Sequence, residues 1–573
     1  MQRHLIATLL LSVCATFTSA AAPTQAGKDY QHIQTLRAEA ERALKQDATP
    51  KGQEQAAALL EKALAMLAEP EMHARGTDSA FLYFRGFDVR RNLAAIHAKQ
   101  GKKDQALTLL EDMAQFGLAA PFADMIANDA ALAALKDEPR FQAILGANRA
   151  ASRLWESPAT PYKPVLTNEE KVAGLSLFWS EARHGFAFFD NVPGLDWNKT
   201  YMEYLGKVLA APTTEAYYKV MMEVAPLLRD GHTNIYPPEA LYDKLYARPP
   251  LLTTLVEGKV LVTQVRSPSL ASRVKVGDEI VAIGGQAVKA YAEANVLRYV
   301  SASTPQDRDV RTYGYQLLSG DAKKPVQLRL RGADGKERNE TVARSGYSDV
   351  QSAAPAELRL LPGNIAYLRV DTFDNDSGVK ALEAALPQVL QAGGLVIDLR
   401  NNGGGNGDNG FNILSYLDHK PFATAPSYVR DDTALERTGG MGLIKWRPVE
   451  GSNQFQRPRD RVFTGPVAVL IGPRSFSAAE DFAVSYDAMR RGPLIGTPTA
   501  GSTGQQLYIE LPGGGRARIC VKRDVRPDGR TFVGKGVQPS IVVEPTVADL
   551  RSGRDAALER AIEVLGAKVV AQQ

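Results

Sequence analysis

The sequence predicts a multidomain α/β protein, α+β over its whole length, and three observations predict it. At 573 residues the chain exceeds what one hydrophobic core holds. Residues 28–148 repeat Ala and Leu three and four positions apart, whereas residues 250–345 break into short β-rich runs. From Asn364 onward, continuous apolar runs at 365–370, 395–399 and 467–471 alternate with helical stretches. Buried parallel strands read this way, and their sites lie at the carboxyl ends of the strands.

Composition narrows the classes. The 68 Lys and Arg are interspersed with 64 Asp and Glu, and a net charge of +4 offers no nucleic-acid surface. Arg3 and His4 precede the apolar run Leu5 to Val13, and small residues follow from Ser19 to Ala22. That order predicts a cleaved signal peptide over residues 1–22 and a periplasmic or secreted product. The run is far short of the roughly 20 apolar residues of a membrane span, so no integral span is expected after cleavage. Cys14 follows Leu-Ser-Val, and Val13 is too bulky for a lipoprotein site. Cleavage leaves Cys520 as the only cysteine, in a strand-like run without a nearby His, so it reads as a structural thiol.

The segments follow in order. Residues 28–148 form a helical domain; Gly101-Lys102-Lys103 breaks one stretch into a helix-turn-helix that resembles a tetratricopeptide pair. This domain is expected to bind a protein partner or the substrate body. Three prolines between Ser157 and Pro164 mark a linker. Residues 165–248 are a helical cap, with a helix start at Pro212-Thr213-Thr214, and end on Asp230-Gly231-His232-Thr233. Residues 250–345 resemble a PDZ domain through Val276-Gly277-Asp278-Glu279-Ile280 and its glycine turn; such domains bind peptide ends along a sheet edge. Residues 355–550 form the α/β core, and a C-terminal helix covers 551–573.

Two strand ends carry chemistry. After Val396-Ile397-Asp398-Leu399-Arg400 comes Asn401-Asn402-Gly403-Gly404-Gly405, a glycine loop whose N–H groups can face a developing oxyanion. After Val467 to Ile471 comes Ser475-Phe476-Ser477-Ala478-Ala479-Glu480. This sets Ser477 at a helix N-terminus, where it can act as nucleophile with the Ala478 N–H as second oxyanion donor. Ser477 to Glu480 also reads as a capping box, which explains both residues without catalysis. Gly405 to Gly410 matches G-x-G-x-x-G, but Arg400 to Gly404 separate it from its strand, which weakens a dinucleotide reading. There is no P-loop lysine and no H-E-x-x-H, and neither cofactor nor metal is expected.

Asp-Leu-Arg-Asn-Asn-Gly-Gly-Gly at 398–405 and Ser-x-Ser-Ala-Ala-Glu at 475–480 resemble the core of the tail-specific, or C-terminal-processing, serine peptidases. Gly496-Thr497-Pro498-Thr499-Ala500-Gly501 and Gly534-Lys535-Gly536-Val537-Gln538-Pro539 are similar to two further segments, in the family's order. The resemblance covers residues 165–550. It implies a crotonase-like α/β core that cleaves protein or peptide substrates near their C-termini without a cofactor.

One position departs from that pattern. Many members use a serine–lysine dyad, and Ser502 stands where the lysine would be, although Gln506 matches the glutamine that orients it. His232 resembles the histidine that replaces lysine in the tricorn-protease branch, and an imidazole suits proton transfer near neutral pH. That branch has a serine where Gly231 stands, and its distal glutamate falls on Val533. Asp230 and Glu480 are both candidates to orient His232. The resulting expectation is an exported serine endopeptidase with Ser477 as nucleophile and His232 as base. Gly403 or Gly404, with Ala478, would hold the oxyanion. The alternative is a non-catalytic ligand- or peptide-binding protein on the same core, as in the retinoid-binding relatives; a nicotinamide oxidoreductase is a third reading.

Overall fold

The computed structural model describes residues 25–572 apart from 71, 73–79, 115–119, 153–155, 432, 441–444, 450–453 and 456–458. The signal peptide expected over 1–22 lies outside the described residues. Among them, no helix is long and apolar enough to cross a membrane.

The N-terminal part is helical and keeps its own core. Ile33, Leu36 and Ala40 line one face of helix Gln25–Gln46, and Leu60, Ala63 and Leu67 line one face of Pro50–Ala68. Stripes at this spacing are stable only when they cover one another. They do so in a cluster running from Ile33 to Leu145. Gly101, at φ 75°, turns the chain between helices Ala80–Lys99 and Lys103–Ala114, a conformation that favours glycine.

The next helices deliver His232. Helix Asn168–Gly185 starts at a capping box of Thr167 and Glu170, and Thr213 accepts the Ala216 N–H ahead of helix Thr214–Met221. Tyr218, fully buried, donates to the Pro512 carbonyl at 2.5 Å and accepts the Gly515 N–H at 3.1 Å. The chain then enters strand Asn234–Tyr236, which pairs antiparallel with Gly515–Cys520 in the register Asn234 to Arg518. Strand Gly515–Cys520 also pairs with Gln506–Leu511. His232 is thereby held beside the loop that leads into Gln506.

Residues 251–342 form an antiparallel sheet in the order Leu251–Val256, Lys259–Val265, Glu279–Ile283, Val326–Arg331, Glu337–Val342. Its edge strand Leu251–Val256 is already engaged from within the chain. Thr253 donates its hydroxyl to the Tyr313 carbonyl and its own carbonyl accepts from Arg474 at 2.9 Å. Part of the edge on which an added peptide strand would pair is therefore occupied.

The core is a six-stranded sheet, ordered Ile541–Val542, Leu494–Gly496, Val467–Ile471, Gly394–Asp398, Ile365–Val370, Ala356–Leu361. All neighbours are parallel except the last pair. Every residue of Gly394–Asp398 and Val467–Ile471 is buried, because both faces are covered. Leu395, Ile397, Val469 and Ile471 pack with Phe482, Leu382 and Ile413 on one face. Val396, Ala468 and Leu470 pack with Ala561 and Leu565 of helix Ala556–Gln572 on the other. The carboxyl ends of these two central strands lead into the glycine loop and into Ser477.

Candidate active site

Ser477 lies between strand Val467–Ile471 and helix Ala478–Met489 with φ 58° and ψ −125°. Positive φ costs a non-glycine residue about 1–3 kcal/mol, so the surrounding contacts must enforce it. They do: the Ser477 N–H donates to the Ser502 carbonyl at 3.0 Å, and the Ser477 carbonyl accepts from Glu480 N at 2.7 Å. The Ser477 side chain makes no cap hydrogen bond. This overturns the capping-box reading, because a cap needs extended backbone and a hydroxyl turned toward the helix. Oγ of Ser477 points elsewhere, to Nε2 of His232 at 3.0 Å.

His232 is almost fully buried, its ring stacked on Phe476 at 4.4 Å between centroids. Its Nδ1 lies 2.9 Å from Ser502 Oγ. Burial pushes the imidazole well below its ordinary value, and the cations of Arg518, Arg311 and Lys522 push the same way. The ring is therefore neutral at neutral pH, as a base must be.

Asp230 holds the histidine through its backbone. Its Oδ2 accepts the His232 N–H at 3.1 Å and the Thr233 hydroxyl at 2.7 Å. Glu480 does not touch the ring either; it accepts from the Thr499 hydroxyl at 2.6 Å, Gly501 N at 2.7 Å and Ser502 N at 2.8 Å. Burial raises the Glu480 carboxyl to about 8 against those three donors. Both ring nitrogens of His232 are taken, so Gln506, on its strand opposite Cys520, finds neither to orient.

The glycine loop closes on the serine. A Cβ on Gly404, at φ 91°, would lie 2.6 Å from Ser477 Cβ, so only glycine permits this approach. Gly404 gives its N–H to Asn402 Oδ1 at 2.9 Å, which removes it as an oxyanion donor. Among the described residues, the N–H groups of Gly403, the neighbour of Gly404 in the loop, and of Ala478, which follows Ser477, have no acceptor. Gly405 presses on Phe373 and Asp374, where an added Cβ would lie 2.3 Å from Asp374 N. Close backbone packing thus accounts for the first glycine of the G-x-G-x-x-G match.

Residues 364–543 match peptidase family S41. This segment is an S41 peptidase domain. The chain is 24% identical over 299 residues to a carboxy-terminal-processing protease of Bartonella bacilliformis, covering 48% of this chain and 64% of that protein. It is 25% identical over 303 residues to a chloroplastic C-terminal processing peptidase of Tetradesmus obliquus, covering 50% and 57%. The chain thus spans less than two thirds of either relative. Among solved structures, mature CPAF complexed with lactacystin shares the fold, with a TM-score of 0.56 at 16% identity over 71% of this chain and 99% of that one.

Within the S41 domain and its flanks, two departures from the expected pattern have physical reasons. A Cβ on Gly231 would lie 2.9 Å from Arg311 Nη2, Asp307 Oδ2 and Phe476 Cε2, so the buried Arg311–Asp307 pair fills the space a serine would need. Val533, where an acid was expected, is packed in the apolar core. Gly231→Ser should lower unfolding stability by about 1–3 kcal/mol through overpacking, measurable by chemical denaturation. Cys520 is buried, its thiol pushed well up by burial, as an inert structural thiol would be.

Sequence reasoning did not single out Asn402, whose carbonyl accepts from Phe476 N at 3.0 Å and whose amide donates to the Val370 carbonyl at 3.1 Å. It thereby joins the glycine loop to the serine turn. Segment 304–311 was missed as well: Thr304 donates to the Ala500 carbonyl at 2.7 Å and Gln306 to Thr499 O at 2.9 Å. No local pattern announces such long-range contacts.

Proposed function

We propose that the chain is an exported serine endopeptidase that hydrolyses peptide bonds of protein or peptide substrates near their C-termini. The observation that carries this reading is the 3.0 Å separation of Ser477 Oγ and His232 Nε2 on an S41 domain. Ser477 Oγ attacks the scissile carbonyl carbon while its proton passes to Nε2. The Gly403 and Ala478 N–H groups receive the oxyanion. The imidazolium then protonates the leaving amine, and water activated by the same nitrogen releases the acyl group. Residues 250–345 act as a PDZ-like gate or substrate-presenting domain. The tetratricopeptide-like helices of 28–148 bind a partner or the substrate body.

The decisive experiment is reaction with a fluorophosphonate probe, which phosphonylates only an activated serine. Labelling at Ser477, mapped by mass spectrometry and lost in His232→Ala, is the expected result. A folded protein that stays unlabelled over hours would favour the non-catalytic binding protein.

A further inference from the structure

The residue in the family's lysine position is not an empty place. Ser502 is fully buried, and its atoms meet both members of the Ser477–His232 pair. Its carbonyl accepts the Ser477 N–H at 3.0 Å, and its hydroxyl lies 2.9 Å from His232 Nδ1. Its own N–H is fixed by Glu480 Oε2 at 2.8 Å, and Glu480 stands one turn along the helix that Ser477 begins. The hydroxyl also lies 3.4 Å from Asp230 Oδ1.

We propose that Ser502 is the positioning residue of His232, its hydroxyl accepting a hydrogen bond from Nδ1–H and donating its own to the Asp230 carboxylate. This rests on the reading of Ser477 and His232 as the reacting pair. The direction of the bonds follows from proton count. Nε2 can take a proton from Ser477 only if the ring carries its hydrogen on Nδ1. Nδ1–H must then donate to Ser502 Oγ, which leaves the Ser502 hydroxyl proton needing an acceptor. Asp230 Oδ1 is the acceptor within reach, and it also faces the Ser303 hydroxyl at 3.4 Å. The opposite direction, Ser502 donating to Nδ1, would put the proton on Nε2 and close the ring to Ser477.

The Ser502 hydroxyl reaches the ring from a loop whose backbone N–H groups, at Gly501 and Ser502, are clamped by Glu480. A plain packed serine would satisfy its hydroxyl anywhere; this one meets the ring nitrogen that sets the tautomer.

The tautomer of the native protein tests this directly. Nitrogen-15 NMR of the histidines, with His232 assigned by its absence in His232→Gln, should show Nδ1 protonated and Nε2 free at pH 7. An Nε2–H tautomer overturns the proposal. Ser502→Ala should then lower kcat about 100-fold with KM nearly unchanged, since a wrong or mixed tautomer blocks proton transfer. Ser502→Thr, which keeps the hydroxyl, should recover most of that loss. Unchanged kcat and tautomer in a folded Ser502→Ala protein would refute the role. Fluorophosphonate labelling of the native protein separates the two readings: with labelling present and the tautomer wrong, only the positioning role falls.

Discussion

On the proposed mechanism, Ser477→Ala is expected to abolish peptidase activity, by about 10⁴-fold or more in kcat, because a serine nucleophile and its histidine base act as a unit. The fold should survive. Ser477 makes no cap hydrogen bond, so its hydroxyl carries no helix-capping energy that alanine would forfeit. Its positive φ, 58°, strains alanine as much as serine. Ser477→Gly should be equally inactive yet more stable than Ser477→Ala by about 1 kcal/mol, since relief of strain outweighs glycine's entropy cost. Turnover of an unfolded protein substrate and thermal melting of the two variants check both statements. Full activity in either variant would remove Ser477 as nucleophile.

The sequence made the central strands legible because burial on both faces leaves a continuous apolar run, as at 395–399 and 467–471. The glycine loop and the serine were legible for a related reason: at the end of a buried parallel strand, polar residues and glycines have few roles besides a turn or a site. The partnership of Ser477 and His232 was visible only through family resemblance, since 245 residues separate them. What joins them is the strand pairing of Asn234 with Arg518, and register of that range is not written in any local pattern. The capping-box reading failed for a specific reason. The motif Ser-x-x-Glu is local, but Glu480 turns inward to the 499–502 loop and Ser477 turns to the histidine. Tertiary contacts overrode both halves of the motif. Ser502 was read as a missing lysine, because a sequence records which residue has changed and not what its replacement touches.

His232→Ala is expected to cost activity nearly as much as loss of the serine, and the pH profile of the native protein should carry the matching signature. Burial and the Arg518, Arg311 and Lys522 cations hold the imidazole well below its ordinary value near 6.5. The free base therefore persists on acidification, and kcat/KM should stay level as pH falls through about 6.5, declining only below it. The same shift has a stability consequence. With the folded value depressed, the unfolded chain binds a proton that the native protein does not, so stability is retained above the unfolded value and lost as pH falls below it. Circular dichroism at each pH must therefore accompany the kinetics, so that unfolding is not mistaken for protonation of the base. An acid limb centred above 6.5 in a folded protein would be incompatible with this buried, cation-flanked histidine as the base. A modest loss from His232→Ala with an unchanged profile would likewise sink it, because Ser477 has no other imidazole within hydrogen-bonding distance among the described residues.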